Sequence, residues 1–113
     1  MAKIESKYSC ALALTHNIIG GKWKMRILWH IVHGDNRFSE LKRVIPDITE
    51  KVLYTNLREL EEDGIIFKEI CYDKKPRAVI YHLQMNYSNL KELIDLICEF
   101  TKEYAKLNKI EIG

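Results

Sequence analysis

The sequence predicts an α+β domain, mainly helical with one small β-hairpin. Three observations predict it. Apolar residues recur at helical spacing through most of the chain. One pair of β-rich runs, Ile65 to Tyr72 and Ala78 to Leu83, brackets a charged tip. The last stretch, Ser88 to about Asn108, carries a long apolar stripe. At 113 residues and 47% apolar composition, the chain suits one compact domain with a core, spanning 1–113.

The elements follow in order. A first helix is expected over 9–19, with Ser9 as N-cap and Leu12, Thr15 and Ile19 on one face. Gly20-Gly21 ends it, because glycine tolerates the left-handed backbone of a helix terminus. Lys22 to Val32 reads as a buried central helix, with Trp23 and Trp29 in the core. Gly34-Asp35-Asn36 is a turn, and Arg37-Phe38 a short extended piece. Ser39 opens a short helix that stops before Pro46.

Thr49 caps the next helix. Ile48 and Leu53 have the spacing of a hydrophobic staple, Leu53, Leu57 and Leu60 form its buried stripe, and Gly64 closes it. Of the two strands, Val79, Tyr81 and Leu83 should face the core, leaving Phe67 and Ile80 against each other on the outer face. The terminal helix over 88–108 presents Leu90, Leu93, Ile94, Ile97, Phe100, Tyr104 and Leu107.

A short helix, a tight connection and an amphipathic helix, followed at once by a hairpin, make a winged helix-turn-helix over 22–83. The second helix of such a motif enters the major groove of DNA. Helical spacing puts Lys51, Thr55 and Arg58 opposite its leucine stripe, with the acids of Glu59 to Asp63 at its far end. Lys74, Lys75 and Arg77 flank Pro76 at the wing tip, suited to phosphates or a minor groove. The net charge of +2 does not itself indicate a polyanion partner. Its distribution does, since cations concentrate in the segments 37–58 and 68–77.

Other classes find little support. There is no nucleophile–base pairing, no phosphate-binding glycine loop and no carboxylate pair with an evident pocket, so an enzyme is not expected and no cofactor is implied. His16, His30, His33 and His82 are scattered and suggest no metal site, and Cys10, Cys71 and Cys98 form no CxxC pair. No window is long and apolar enough for a membrane span, and the start lacks the apolar run of a signal peptide, so a cytoplasmic protein without a membrane partner is expected. A winged domain serving only protein–protein contacts is the rival reading. It would leave Lys51 and Arg58 dispensable.

The residues resemble the HxlR-type regulators, a winged-helix group related to the MarR regulators. The resemblance rests on Cys10, on the run Ile18 to Trp23, and on Gly34 with Arg37 to Leu41. It continues through Ile48 to Leu53, Leu57 to Ile66, Pro76-Arg77 and Tyr81 to Leu83. It implies a homodimer on a roughly palindromic operator, joined through its terminal helices, with an effector the sequence does not identify. Leu12 and the seven apolar residues of the last helix are the expected interface. Residues matching the family's DNA-reading segments are Arg37, Ser39, Thr49, Lys51, Thr55, Arg58 and Arg77. The resemblance also implies a possible thiol sensor at Cys10, where a helix N-terminus favours thiolate; the alternative is a small interface residue. The chain departs from the family pattern at Ala11 and at Gln84 to Tyr87, parts that set dimer geometry.

Overall fold

The computed structural model describes residues 4–84, 87 and 89–113. Its elements run α1 (Ala11–Ile19), α2 (Lys24–Val32), α3 (Phe38–Val44), α4 (Glu50–Glu62), β1 (Ile66–Cys71), β2 (Ala78–Leu83) and α5 (Leu90–Leu107). The expected departure at Met85-Asn86 and the expected helix start at Ser88 lie outside the described residues. Among the described residues, no helix is long and apolar enough to cross a membrane.

The N-cap of α1 is Cys10, not Ser9; its backbone is extended and its side chain makes no capping hydrogen bond. The segment before it is tied down by Tyr8, whose hydroxyl accepts from Glu5 N (3.0 Å) and Asn17 Nδ2 (2.7 Å). The two glycines after α1 divide their work. Gly21 takes the left-handed backbone, at φ 95°. Gly20 does not; a Cβ there would stand 2.2 Å from the His16 carbonyl oxygen, so close approach demands glycine.

The helix α2 begins at Lys24, two residues later than expected, and buries Ile27, Leu28 and Ile31. Its first residue is the surprise. Lys24 is 4% exposed, and its Nζ lies 3.4 Å from Glu59 Oε1, tying α2 to α4 across the core. Trp23 and Trp29 are half-buried and pack against the core. Lys22 and Arg26 lie over the Trp23 ring, and His33 stacks on Trp29 at 4.1 Å. Arg37 is extended and bridges Ile80, and α3 opens at Phe38 rather than Ser39.

The α4 segment follows its local chemistry closely. Thr49 Oγ1 accepts the Val52 N–H at 3.2 Å, Ile48 and Leu53 are both buried, and Leu57 and Leu60 complete the stripe. Gly64 turns the chain out at φ 75°. The core gathers these leucines with Leu41, Ile45, Ile66, Tyr81 and Ile94.

The strands pair antiparallel from Ile66↔Leu83 to Cys71↔Ala78. That register sets Phe67 opposite His82, not Ile80, and their rings stack at 5.0 Å. Ile80 instead faces Glu69 and Arg37. Val79 and Leu83 pack against the core beside the buried Tyr81, as the alternation requires.

Candidate nucleic-acid interface

Two pieces of chain meet beside the wing: the start of α3 and the hairpin tip. The main chain joins them. Besides the Arg37–Ile80 bridge, Tyr81 N donates to Asn36 O at 2.8 Å, which draws β2 against the entry to α3. A groove of about 650 Å³ opens between them. Arg37, Ser39, Lys74, Lys75 and Arg77 line it, over Phe38, Pro76, Ala78 and Val79. Five expected contact residues, far apart in sequence, therefore share one site. Among the described residues, none of the four cations forms an ion pair. Arg77 is held over the Tyr72 ring at 5.3 Å, which steadies the guanidinium while leaving its charge uncompensated. Unpaired cations beside a hydroxyl suit a phosphodiester backbone.

On α4, Thr49, Lys51 and Arg58 are exposed. Thr49 accepts from the helix and keeps its hydroxyl hydrogen to donate. Arg58 Nε lies 3.6 Å from Glu62 Oε1, an exposed pair that a stronger acceptor can displace. Thr55 is changed most by the structure: its hydroxyl donates to Lys51 O at 2.9 Å, so its hydrogen is committed to the helix backbone. Asn56 is likewise engaged, through Nδ2 to Val52 O at 2.8 Å. Tyr54, absent from the residues expected to matter, is exposed beside Lys51 and Arg58. Its spacing of three and four residues from those cations was the available signal.

Two charge sites brace the motif. The Arg26 guanidinium donates to both carboxylate oxygens of Asp47, at 3.1 and 3.0 Å, and those hydrogen bonds hold the Asp47 carboxyl below the usual range. Asp63, where α4 ends, is pushed the other way. Burial raises it, Lys24 opposes that, and Glu59 and Glu62 add to it. Among the described residues its buried Oδ2 has no hydrogen-bond partner.

The terminal helices look different. Leu93, Phe100, Tyr104 and Leu107 are exposed on α5, and Leu12 on α1 is 79% exposed. Leu90 and Ile97 are half-buried. Ile94 corrects the expected interface: at 2% exposure it belongs to the chain's own core and offers no area to a partner. Leu96, Ile110 and Ile112, not foreseen, are exposed. Cys10 is exposed, and Cys71 and Cys98 are half-buried. A smaller cavity of about 300 Å³ lies between α1 and α5, lined by Thr15, Ile18, Ile19, Ile65, Tyr87, Asn89, Leu90 and Leu93. Among the described residues, no group of histidine, cysteine and carboxylate side chains could hold a metal ion.

A model of HxlR-like helix-turn-helix proteins matches residues 18–109. The HTH-type transcriptional regulator YtcD of Bacillus subtilis (strain 168) is 45% identical over 94 residues, covering 83% of this chain and 74% of the relative. A crystal structure of the HTH-type transcriptional regulator ytcD superimposes with a TM-score of 0.76 at 39% identity, covering 86% of this chain and 98% of that one. The redox regulator HypR in its oxidized form gives 0.75 at 36% identity, covering 83% and 96%.

Proposed function

The chain belongs to the HxlR-like helix-turn-helix family and is a DNA-binding transcriptional regulator, and we propose that it acts in the cytoplasm as a homodimer on a roughly palindromic operator. Each protomer lays α4 into a major groove. The groove between α3 and the wing seats on the flanking phosphates. Arg37, Ser39, Lys74, Lys75 and Arg77 fix register, Thr49 donates near the start of α4, and Lys51 and Arg58 reach base edges. Thr55 contributes its methyl group rather than its hydroxyl. The observation that carries this reading is the convergence of Arg37, Lys74, Lys75 and Arg77 on one groove without an internal counter-ion among the described residues.

The second copy is argued from α5. Leu93, Leu96, Phe100, Tyr104 and Leu107 follow spacings of three and four, the seam of a helix that packs on another. With Leu12, Ile110 and Ile112 this surface is too apolar to face water alone. A twofold dimer covers it and sets the two reading helices about 34 Å apart, one turn of DNA.

Cys10 is the proposed sensor of oxidants or electrophiles. It is exposed at the N-cap of α1, and a redox regulator shares the fold. Its signal would pass from the terminal helices through α2. Asp95 of α5 lies 3.8 Å from His33, just beyond α2, and Lys24 of α2 holds Glu59 of α4.

The test is a titration against DNA upstream of the protein's own gene, over several salt concentrations, with and without diamide. The expected result is binding tighter than to random DNA, falling steeply as salt rises. Release by diamide that Cys10→Ser abolishes supports the sensor. Release that survives the substitution removes it. Affinity equal to that for random DNA contradicts operator recognition.

A further inference from the structure

We propose that Tyr54 is a specificity-determining residue, whose ring reads the 5-methyl group of a thymine beside the bases contacted by Lys51 and Arg58. The inference rests on the reading of α4 as the helix in the major groove.

Single exposed aromatic residues are ordinary on protein surfaces, so the case depends on how Tyr54 differs from its neighbours. Within the winged half, the other exposed aromatic residues have work inside the molecule. Phe67 stacks on His82, and Tyr72 supports Arg77. Tyr54 is 53% exposed. Among the described residues its ring packs on no other ring or cation and its hydroxyl makes no hydrogen bond; its interaction inside the chain is electrostatic, with the buried Tyr81.

Its position gives the ring a ligand. Tyr54 stands three residues after Lys51 and four before Arg58, so all three side chains are neighbours on α4. The uncharged hydrogen-bonding groups beside it, on Thr55 and Asn56, are turned back onto the helix carbonyls. That leaves two cations, which suit guanine N7 and O6, the Tyr54 hydroxyl at the ring's end, and the apolar face of the ring. The apolar feature that distinguishes bases in the major groove is the thymine methyl group. A ring between two cations therefore adds thymine to a guanine preference.

The experiment uses a duplex selected by the wild-type protein from a randomised pool. Each thymine in it is replaced in turn by deoxyuridine, which removes the methyl group alone. Binding is measured at several salt concentrations for wild type, Tyr54→Ala and Tyr54→Phe. At one thymine per half-site, wild type should lose about fourfold in affinity, the effect of one methyl group. Tyr54→Ala should be insensitive there, with an unchanged salt slope because no counterion is involved. Tyr54→Phe should behave as wild type. The proposal is overturned if Tyr54→Ala keeps the wild-type sensitivity, if its salt slope changes, or if Tyr54→Phe loses as much as Tyr54→Ala. Failure of the wild-type protein to select any sequence would instead overturn the groove-reading premise.

Discussion

The winged half of the molecule and its terminal helices use the same kinds of residue to different ends. Between Lys24 and Leu83, most of the large aliphatic residues are turned inward. Ile27, Leu28, Leu41, Ile45, Ile48, Leu53, Leu57, Leu60 and Ile66 are all essentially inaccessible. In α5 only Ile94 and Ala105 are buried, while Leu93, Leu96, Phe100, Tyr104 and Leu107 stand open. The first region completes its core within one chain. The second has a core side and an open side, and a second copy is the occupant we propose for the open side.

That contrast can be broken first at the buried ion pair of the winged half. Lys24→Ala removes the cation that holds the partly buried Glu59. It should cost about 3–5 kcal/mol of stability, read by urea unfolding. The loss should not depend on protein concentration, because the site lies inside one protomer. Phe100→Glu, on the open side, should act the other way round. Roughly 2–4 kcal/mol should be lost from association, seen as monomers in sedimentation and as weaker DNA binding. The winged half should keep its own hydrogen-exchange protection. Equal concentration dependence for both variants would erase the distinction.

Smaller changes sharpen it. Arg58→Ala should relax sequence preference and cost about 1–3 kcal/mol of binding if Arg58 pairs with a guanine, without changing thermal stability. Thr49→Ala should cost about 1 kcal/mol of folding stability through loss of the Val52 cap. Asp63 gives the mildest effect, and its sign is fixed. Its folded pKa is raised, chiefly by burial, so its favourable contribution exists at low pH and disappears as pH rises through that folded value. Asp63→Asn should therefore be at least as stable as wild type at pH 7, with the difference fading in acid. A variant less stable at pH 7 would contradict that placement.

What could be read from sequence follows the range of the interaction. In α4 the decisive signals are local: Thr49 sits three residues from the N–H it caps, and Ile48 five from its staple partner Leu53. Lys24 was invisible because its partner, Glu59, lies on another helix. A lysine beside Trp23 otherwise reads as a solvated helix start. The partner of Phe67 required the strand register, which composition does not set. The error at Ile94 has a geometric cause. The helix α5 carries one apolar stripe through Ile94, Cys98 and Ala105 and another through Leu96, Phe100 and Leu107. Periodicity finds apolar faces but does not say which one its own chain covers. The groove cations were legible as charged segments, whereas their convergence needed the Arg37–Ile80 bridge.

The most direct test is the mass of the protein in solution and on DNA, by sedimentation at micromolar concentration, for wild type and Phe100→Glu. The account predicts two protomers for the free wild-type protein and two per selected duplex, with Phe100→Glu monomeric when free. A wild-type protein that stays monomeric alone and occupies the duplex as a single protomer would contradict it.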